Sequence, residues 1–196
     1  MPTLHLLHGL PGSGKTTYAA RLARELPAVR FSPDEWMVAL HGPNPPAATF
    51  RAELAKVLDL IWLHVERVLA AGTDVVFDGG FWRRTERDAA RARAAAFGVS
   101  CQLYVFACPV SLARERTLAR TAALPPGALV ITAETFDLLQ RELEPVGADE
   151  RHILVDTSET GPEAGRDRRA RPDPAAESSG VILPVTPHSA EDKVRA

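Results

Sequence analysis

Gly9-Leu10-Pro11-Gly12-Ser13-Gly14-Lys15-Thr16-Thr17 gathers glycines, one lysine and two threonines at the spacing G-x-x-x-x-G-K-[ST]. Glycines at 9, 12 and 14 allow the backbone to curl until several N–H groups point into one anion-sized hollow. A helix beginning at the end of this segment would add its own unpaired N–H groups and the positive end of its dipole. Lys15 would reach the β- and γ-phosphates of a nucleotide, and the Thr16 hydroxyl would ligate Mg²⁺. Gly9, Gly12, Ser13, Gly14, Lys15, Thr16 and Thr17 are therefore the expected nucleotide-binding residues, with ATP and Mg²⁺ as ligands. The only other lysines are Lys56 and Lys193, so a lysine at this spot is not background.

A phosphate-binding loop alone does not separate a kinase from an ATPase or a switch. A kinase also needs a residue to orient the acceptor hydroxyl and an arginine-bearing lid over the γ-phosphate. Asp34 is the candidate for the first role. At a helix start its proton affinity is expected to be lowered, which makes its contribution mainly positioning. Glu35 is read as the carboxylate that caps the same helix. Asp78 ends an apolar run and is the candidate acid for Mg²⁺. For the lid, Arg114, Arg116 and Arg120 precede the Pro125-Pro126-Gly127 turn, and the last two share a helix face. Arginine suits this task because its fork is always charged and can bond two oxygens at once. Arg116 and Arg120 are the catalytic candidates. His8 reads as a packed strand residue, while Trp36, Trp62, Phe81 and Trp82 are candidate linings of an acceptor pocket. The six histidines and two cysteines show no metal-ligand spacing.

The chain's 196 residues carry a formal charge of -2, so no global basic field argues for a nucleic-acid or membrane partner. Cys101 and Cys108 fall in one apparent strand, about 20 Å apart if extended, and imply no disulfide. The phosphate loop begins at residue 9, so no signal peptide is expected, and no apolar run reaches the length of a membrane span. A cytoplasmic setting is the expectation.

Short apolar runs alternate with helical periodicity throughout. Leu4–Leu7, Val29–Phe31, Asp74–Asp78, Cys101–Ala107 and His152–Val155 read as strands. Helices are expected over Tyr18–Leu26, Asp34–Leu40, Ala47–Ala71, Arg83–Phe97, Pro109–Ala123 and Thr132–Leu143. The helix at 83–97 reads as an arginine-rich surface element. Ser32-Pro33-Asp34-Glu35 is a helix start, and 41–46 and 124–128 are loops. The pattern predicts an α/β fold with a parallel sheet flanked by helices on both faces, in which ligands sit beyond the carboxyl ends of the strands. From Thr157 onward Gly, Pro, Ser and charged residues dominate, so 1–156 reads as one domain and 157–196 as a disordered C-terminal tail.

The loop Gly9–Thr17, Asp34 after the second strand, Val75–Trp82, and Pro109 followed by Arg116 and Arg120 together resemble the small P-loop kinases. The nearest groups are 5′-polynucleotide kinase domains, chloramphenicol phosphotransferase-like enzymes and zeta-toxin-like kinases, often labelled AAA-family ATP-binding proteins. The resemblance covers about residues 1–156. It implies a P-loop NTPase fold of nucleoside-monophosphate-kinase type with a five-stranded parallel sheet, ATP with Mg²⁺, and phosphate transfer to a hydroxyl. The family's base falls on Asp34 and its lid arginines on Arg116 and Arg120. Polynucleotide kinases carry an arginine three residues after the base, where this chain has Met37, which argues against a nucleic-acid end and for a small-molecule acceptor. Two other expectations stay open: a nucleotide-binding ATPase or switch acting through a partner, and a 5′-hydroxyl polynucleotide kinase.

Overall fold

The computed structural model of the chain describes residues 1–158 and Asp167–Arg168. Five parallel strands form its centre: β1 (Thr3–His8), β2 (Ala28–Phe31), β3 (Asp74–Phe77), β4 (Ser100–Ala107) and β5 (Ile153–Asp156). A two-residue strand, β6 (Asp167–Arg168), pairs antiparallel with β5, giving the order β2-β3-β1-β4-β5-β6. This sixth strand falls within the stretch expected to be a disordered tail. Apart from it, Thr157 and Ser158, the expected tail lies outside the described residues. The helices are α1 (Lys15–Glu25), α2 (Pro33–His41), α3 (Ala47–Ala70), α4 (Arg84–Ala96), α5 (Val110–Ala123) and α6 (Ala133–Glu142).

The strands are apolar on both faces because helices cover both. On one face Leu7, Val76, Tyr104, Phe106 and Val155 pack against Tyr18, Ala19 and Leu22 of α1. On the other, Leu4, Leu6, Val75, Phe77 and Leu103 meet Val57, Ile61, Val65 and Leu69 of α3 and Ala90 and Ala94 of α4. Each fully buried Leu, Ile or Phe side chain contributes about 1.5–3 kcal/mol over an exposed one. A third cluster joins Leu10 of the phosphate loop to Ala113 of α5, Ile131 and Phe136 of α6.

Register then sets the site. Leu6 lies opposite Phe77, so Asp78 emerges beside the start of the loop that follows β1. Phe31 also lies opposite Phe77, which brings α2 to the same end of the sheet. The helix expected to be a surface element needs correction: Arg87 of α4 is fully buried. Its Nε and Nη2 donate to the two oxygens of Glu150 at 2.8 Å each, and Nη1 donates to the carbonyls of Phe81 and Trp82. A guanidinium with every donor engaged can be buried where an unpaired one cannot. Among the described residues no helix is long and apolar enough to cross a membrane.

Candidate active site

The loop between β1 and α1 adopts the curl its glycines permit. Gly9, Gly12 and Gly14 have φ of 156°, 75° and 92°. A Cβ on Gly12 would come within 2.1 Å of the Ala113 carbonyl oxygen, so the loop is pressed onto α5. Lys15 folds back over it, donating to the carbonyls of Gly9 at 2.9 Å and Leu10 at 2.6 Å. Burial pushes this ammonium down to about 8, although the Asp78 and Asp34 charges pull it back up. A desolvated cation over a glycine-curled loop at a helix start fits a polyphosphate.

Asp78 is buried at the end of β3. Its Oδ2 accepts from Nη1 of Arg30 at 3.2 Å, and its carboxylate also bonds the Thr16 hydroxyl. Desolvation raises this carboxyl above its ordinary value, against the pull of Lys15, Thr16 and Arg30. Two hard oxygen donors held together suit Mg²⁺. Thr16 and Asp78 are the residues that would hold it, and there it would supply neutralisation of phosphate charge. Arg30, on edge strand β2, also donates to Glu35. Glu35 is therefore engaged with Arg30 rather than in the expected cap, and Ser32 makes no side-chain cap bond. A charged residue amid Val29 and Phe31 was the available signal, since a strand arginine beside a sheet core requires a partner.

A hollow of about 110 Å³ opens beside Thr16, lined by Ser32, Asp34, Glu35 and Arg120 and roofed by residues 125–128. The roof is pinned just beyond its C-terminal end. The Thr121 hydroxyl bonds both the N–H and the carbonyl of Ile131 at 3.1 Å, and Val130 N–H donates to the Pro43 carbonyl at 2.8 Å. Gly127 sits so close to α2 that a Cβ there would lie 3.0 Å from Cγ of Glu35. The exposed surface of Asp34 faces this hollow. Its carboxyl is raised, first by desolvation and then by the Asp78 charge, against Lys15 and Arg120. The lowering expected from the helix start is thus reversed, chiefly by desolvation and then by the second carboxylate.

Of the two lid candidates, only Arg120 lines this hollow. Its Nε is buried without a hydrogen-bond partner among the described residues. Arg116 turns the other way, with Nη1 donating to the Thr157 carbonyl at 3.0 Å. Thr157, unforeseen from sequence, donates its hydroxyl to the Ser13 carbonyl at 2.9 Å and lies against Gly14. Arg114 pairs with Asp137. Met37 is fully buried in the core, so its side chain does not face an acceptor. Neither Trp36, Trp62, Phe81 nor Trp82 lines the hollow. His8 is packed as expected, with Nδ1 on the Phe81 carbonyl at 3.0 Å. Both cysteines are free. A larger cavity of about 330 Å³ lies behind the loop near His8, Leu10, Cys108 and His152, with largely apolar walls.

The family model for the AAA domain matches residues 4–146. The chain belongs to the AAA-domain family. No curated protein matches this AAA-domain chain significantly. Solved structures share its fold. A candidate kinase from Chloroflexus aurantiacus j-10-fl superposes with a TM-score of 0.61 at 18% identity, over 80% of this chain and 89% of that one. A gluconokinase from Sinorhizobium meliloti 1021 gives 0.55 at 20% identity, over 81% and 85%. Kti12 from Chaetomium thermophilum, in complex with ADP-AlF3, gives 0.57 at 20% identity, over 79% and 88%. The expected P-loop NTPase fold is the one observed, with β6 as an addition at the sheet edge.

Proposed function

We propose that this AAA-domain protein is an ATP- and Mg²⁺-dependent phosphotransferase that moves the γ-phosphoryl group of ATP to a hydroxyl of a small-molecule acceptor. The observation that carries the reading is the roofed hollow in which Thr16, Asp34 and Arg120 converge beside the Lys15 loop. A pure nucleotide switch has no need of a second, lidded compartment with a carboxylate of raised proton affinity at its wall. In the reaction the γ-phosphorus leaves the bridging oxygen of ADP and bonds the acceptor oxygen, whose proton passes to Asp34. Lys15 and Arg120 face the charge that spreads over the transferring group, and the roof keeps water from competing for it. The small hollow and its pinned roof favour a small acceptor over a nucleic-acid end. Resemblance in fold to a gluconokinase supports the same class.

The test is incubation with γ-labelled ATP across antibiotics, nucleosides, sugars and oligonucleotides, using wild type and Asp34→Asn. Label should enter a small acceptor. The Asp34→Asn protein should transfer it about 10²–10⁴-fold more slowly, the usual worth of a general base, with ATP affinity retained. Equal transfer rates for the two proteins would remove Asp34 from the mechanism, and labelling of oligonucleotides alone would reverse the acceptor assignment.

A further inference from the structure

The Gly9 carbonyl accepts two hydrogen bonds: one from Lys15 Nζ at 2.9 Å and one from the indole Nε1 of Trp82 at 3.0 Å. A carbonyl oxygen has two lone pairs, so both seats are taken. Lys15 spends two of its three N–H groups on this carbonyl and that of Leu10, which leaves one for phosphate. Trp82 is the donor on Gly9 that belongs to another part of the chain. We infer that Trp82 is a positioning residue for the phosphate loop, holding the Gly9 carbonyl, and with it the loop that seats Lys15, in place through its indole N–H. The inference rests on the nucleotide-binding reading of the loop.

Three independent features converge on that indole. First, Gly80 has φ of 80°, and a Cβ there would lie 2.7 Å from Trp82 Nε1, so the turn leaves room for the nitrogen only with glycine at this position. Second, Phe81 has φ of 43°, a left-handed conformation that bulky residues adopt only under constraint. The constraint is visible. Its carbonyl accepts from His8 Nδ1 at 3.0 Å and Arg87 Nη1 at 3.2 Å. Third, the Trp82 carbonyl accepts from Arg87 Nη1 at 3.1 Å and from Glu144 N–H at 3.0 Å. The fully buried Arg87–Glu150 pair therefore anchors the backbone on either side of the indole. The same short strap begins at Asp78. One piece of chain thus sets both the acid beside Thr16 and the loop that carries Lys15.

The test titrates Mg·ATP into wild type, Trp82→Phe and Gly80→Ala. Phenylalanine keeps a ring and loses the N–H; alanine at 80 leaves Trp82 intact but takes the space of its nitrogen. Each variant should bind Mg·ATP about three- to tenfold more weakly, the worth of one hydrogen bond, with KM rising and kcat nearly unchanged. The melting temperature of Trp82→Phe should stay close to that of wild type. In wild type, the indole N–H resonance identified by its absence in Trp82→Phe should shift when Mg·ATP is added, as phosphate charge arrives beside the ammonium that shares the Gly9 carbonyl with it. That measurement stands even if a variant folds poorly. A Trp82→Phe protein that binds Mg·ATP as tightly as wild type, or an indole resonance unmoved by bound nucleotide, overturns the inference. A wild-type protein that binds no Mg·ATP overturns the nucleotide reading first, and this inference with it.

Discussion

Lys15 and Asp34 are shifted in opposite senses, and the pair should write both limbs of a pH profile. Burial pushes Lys15 down to about 8, whereas burial and Asp78 hold Asp34 above the usual carboxylate range. For the free enzyme, kcat/KM should rise with pH as Asp34 loses its proton, on an acid limb displaced above an ordinary aspartate. It should fall again as Lys15 loses its charge near pH 8. Asp34→Asn should abolish the acid limb and leave the alkaline one. A profile flat from pH 7 to 10 would place Lys15 outside nucleotide binding. The loop was legible in the sequence because its chemistry is local: every group lies within nine consecutive residues. The sign of the Asp34 shift was not. It depends on burial by the folded chain and on Asp78 from another strand, and no local rule about helix starts contains either.

Apart from α1, which begins three residues before the expected Tyr18, the elements expected from sequence were readable within a residue or two, since apolar runs bounded by glycine and proline are strong signals. What stayed hidden was which charged residues point inward. Arg87 belongs to a run of arginines that reads as solvated, yet it closes on Glu150, 63 positions away, and locks the segment between β3 and α4. Arg87→Met should destabilise the protein by at most about 3–5 kcal/mol in urea unfolding, because buried Glu150 loses its main partner and keeps only Arg91 and the Gly147 N–H. Pairing it with Glu150→Leu should recover most of that loss. Glu150 is held well below its ordinary 4.5, chiefly by Arg87. The stability it contributes is fully present above that value and is lost as pH falls through the lower folded one. Wild type should therefore lose stability on acidification more steeply than the double variant. Equal acid sensitivity would show that the pair does not report on folding.

Across the whole molecule, one end of a parallel sheet collects the loop after β1, the acid after β3 and the helix after β2, and the span from α5 to α6 closes over them. This is the end at which open α/β sheets bind ligands. AAA-domain membership and neighbours of the same fold agree with that layout, while the proposed acceptor site rests on the few residues around a small hollow. Everything proposed for the hollow presupposes that the loop holds a nucleotide. The direct measurement is isothermal titration of Mg·ATP into wild type and Lys15→Ala. Saturable binding by wild type, at least about tenfold weaker in the variant, is the predicted result. Absence of binding to wild type, or equal affinity in the two proteins, would contradict it.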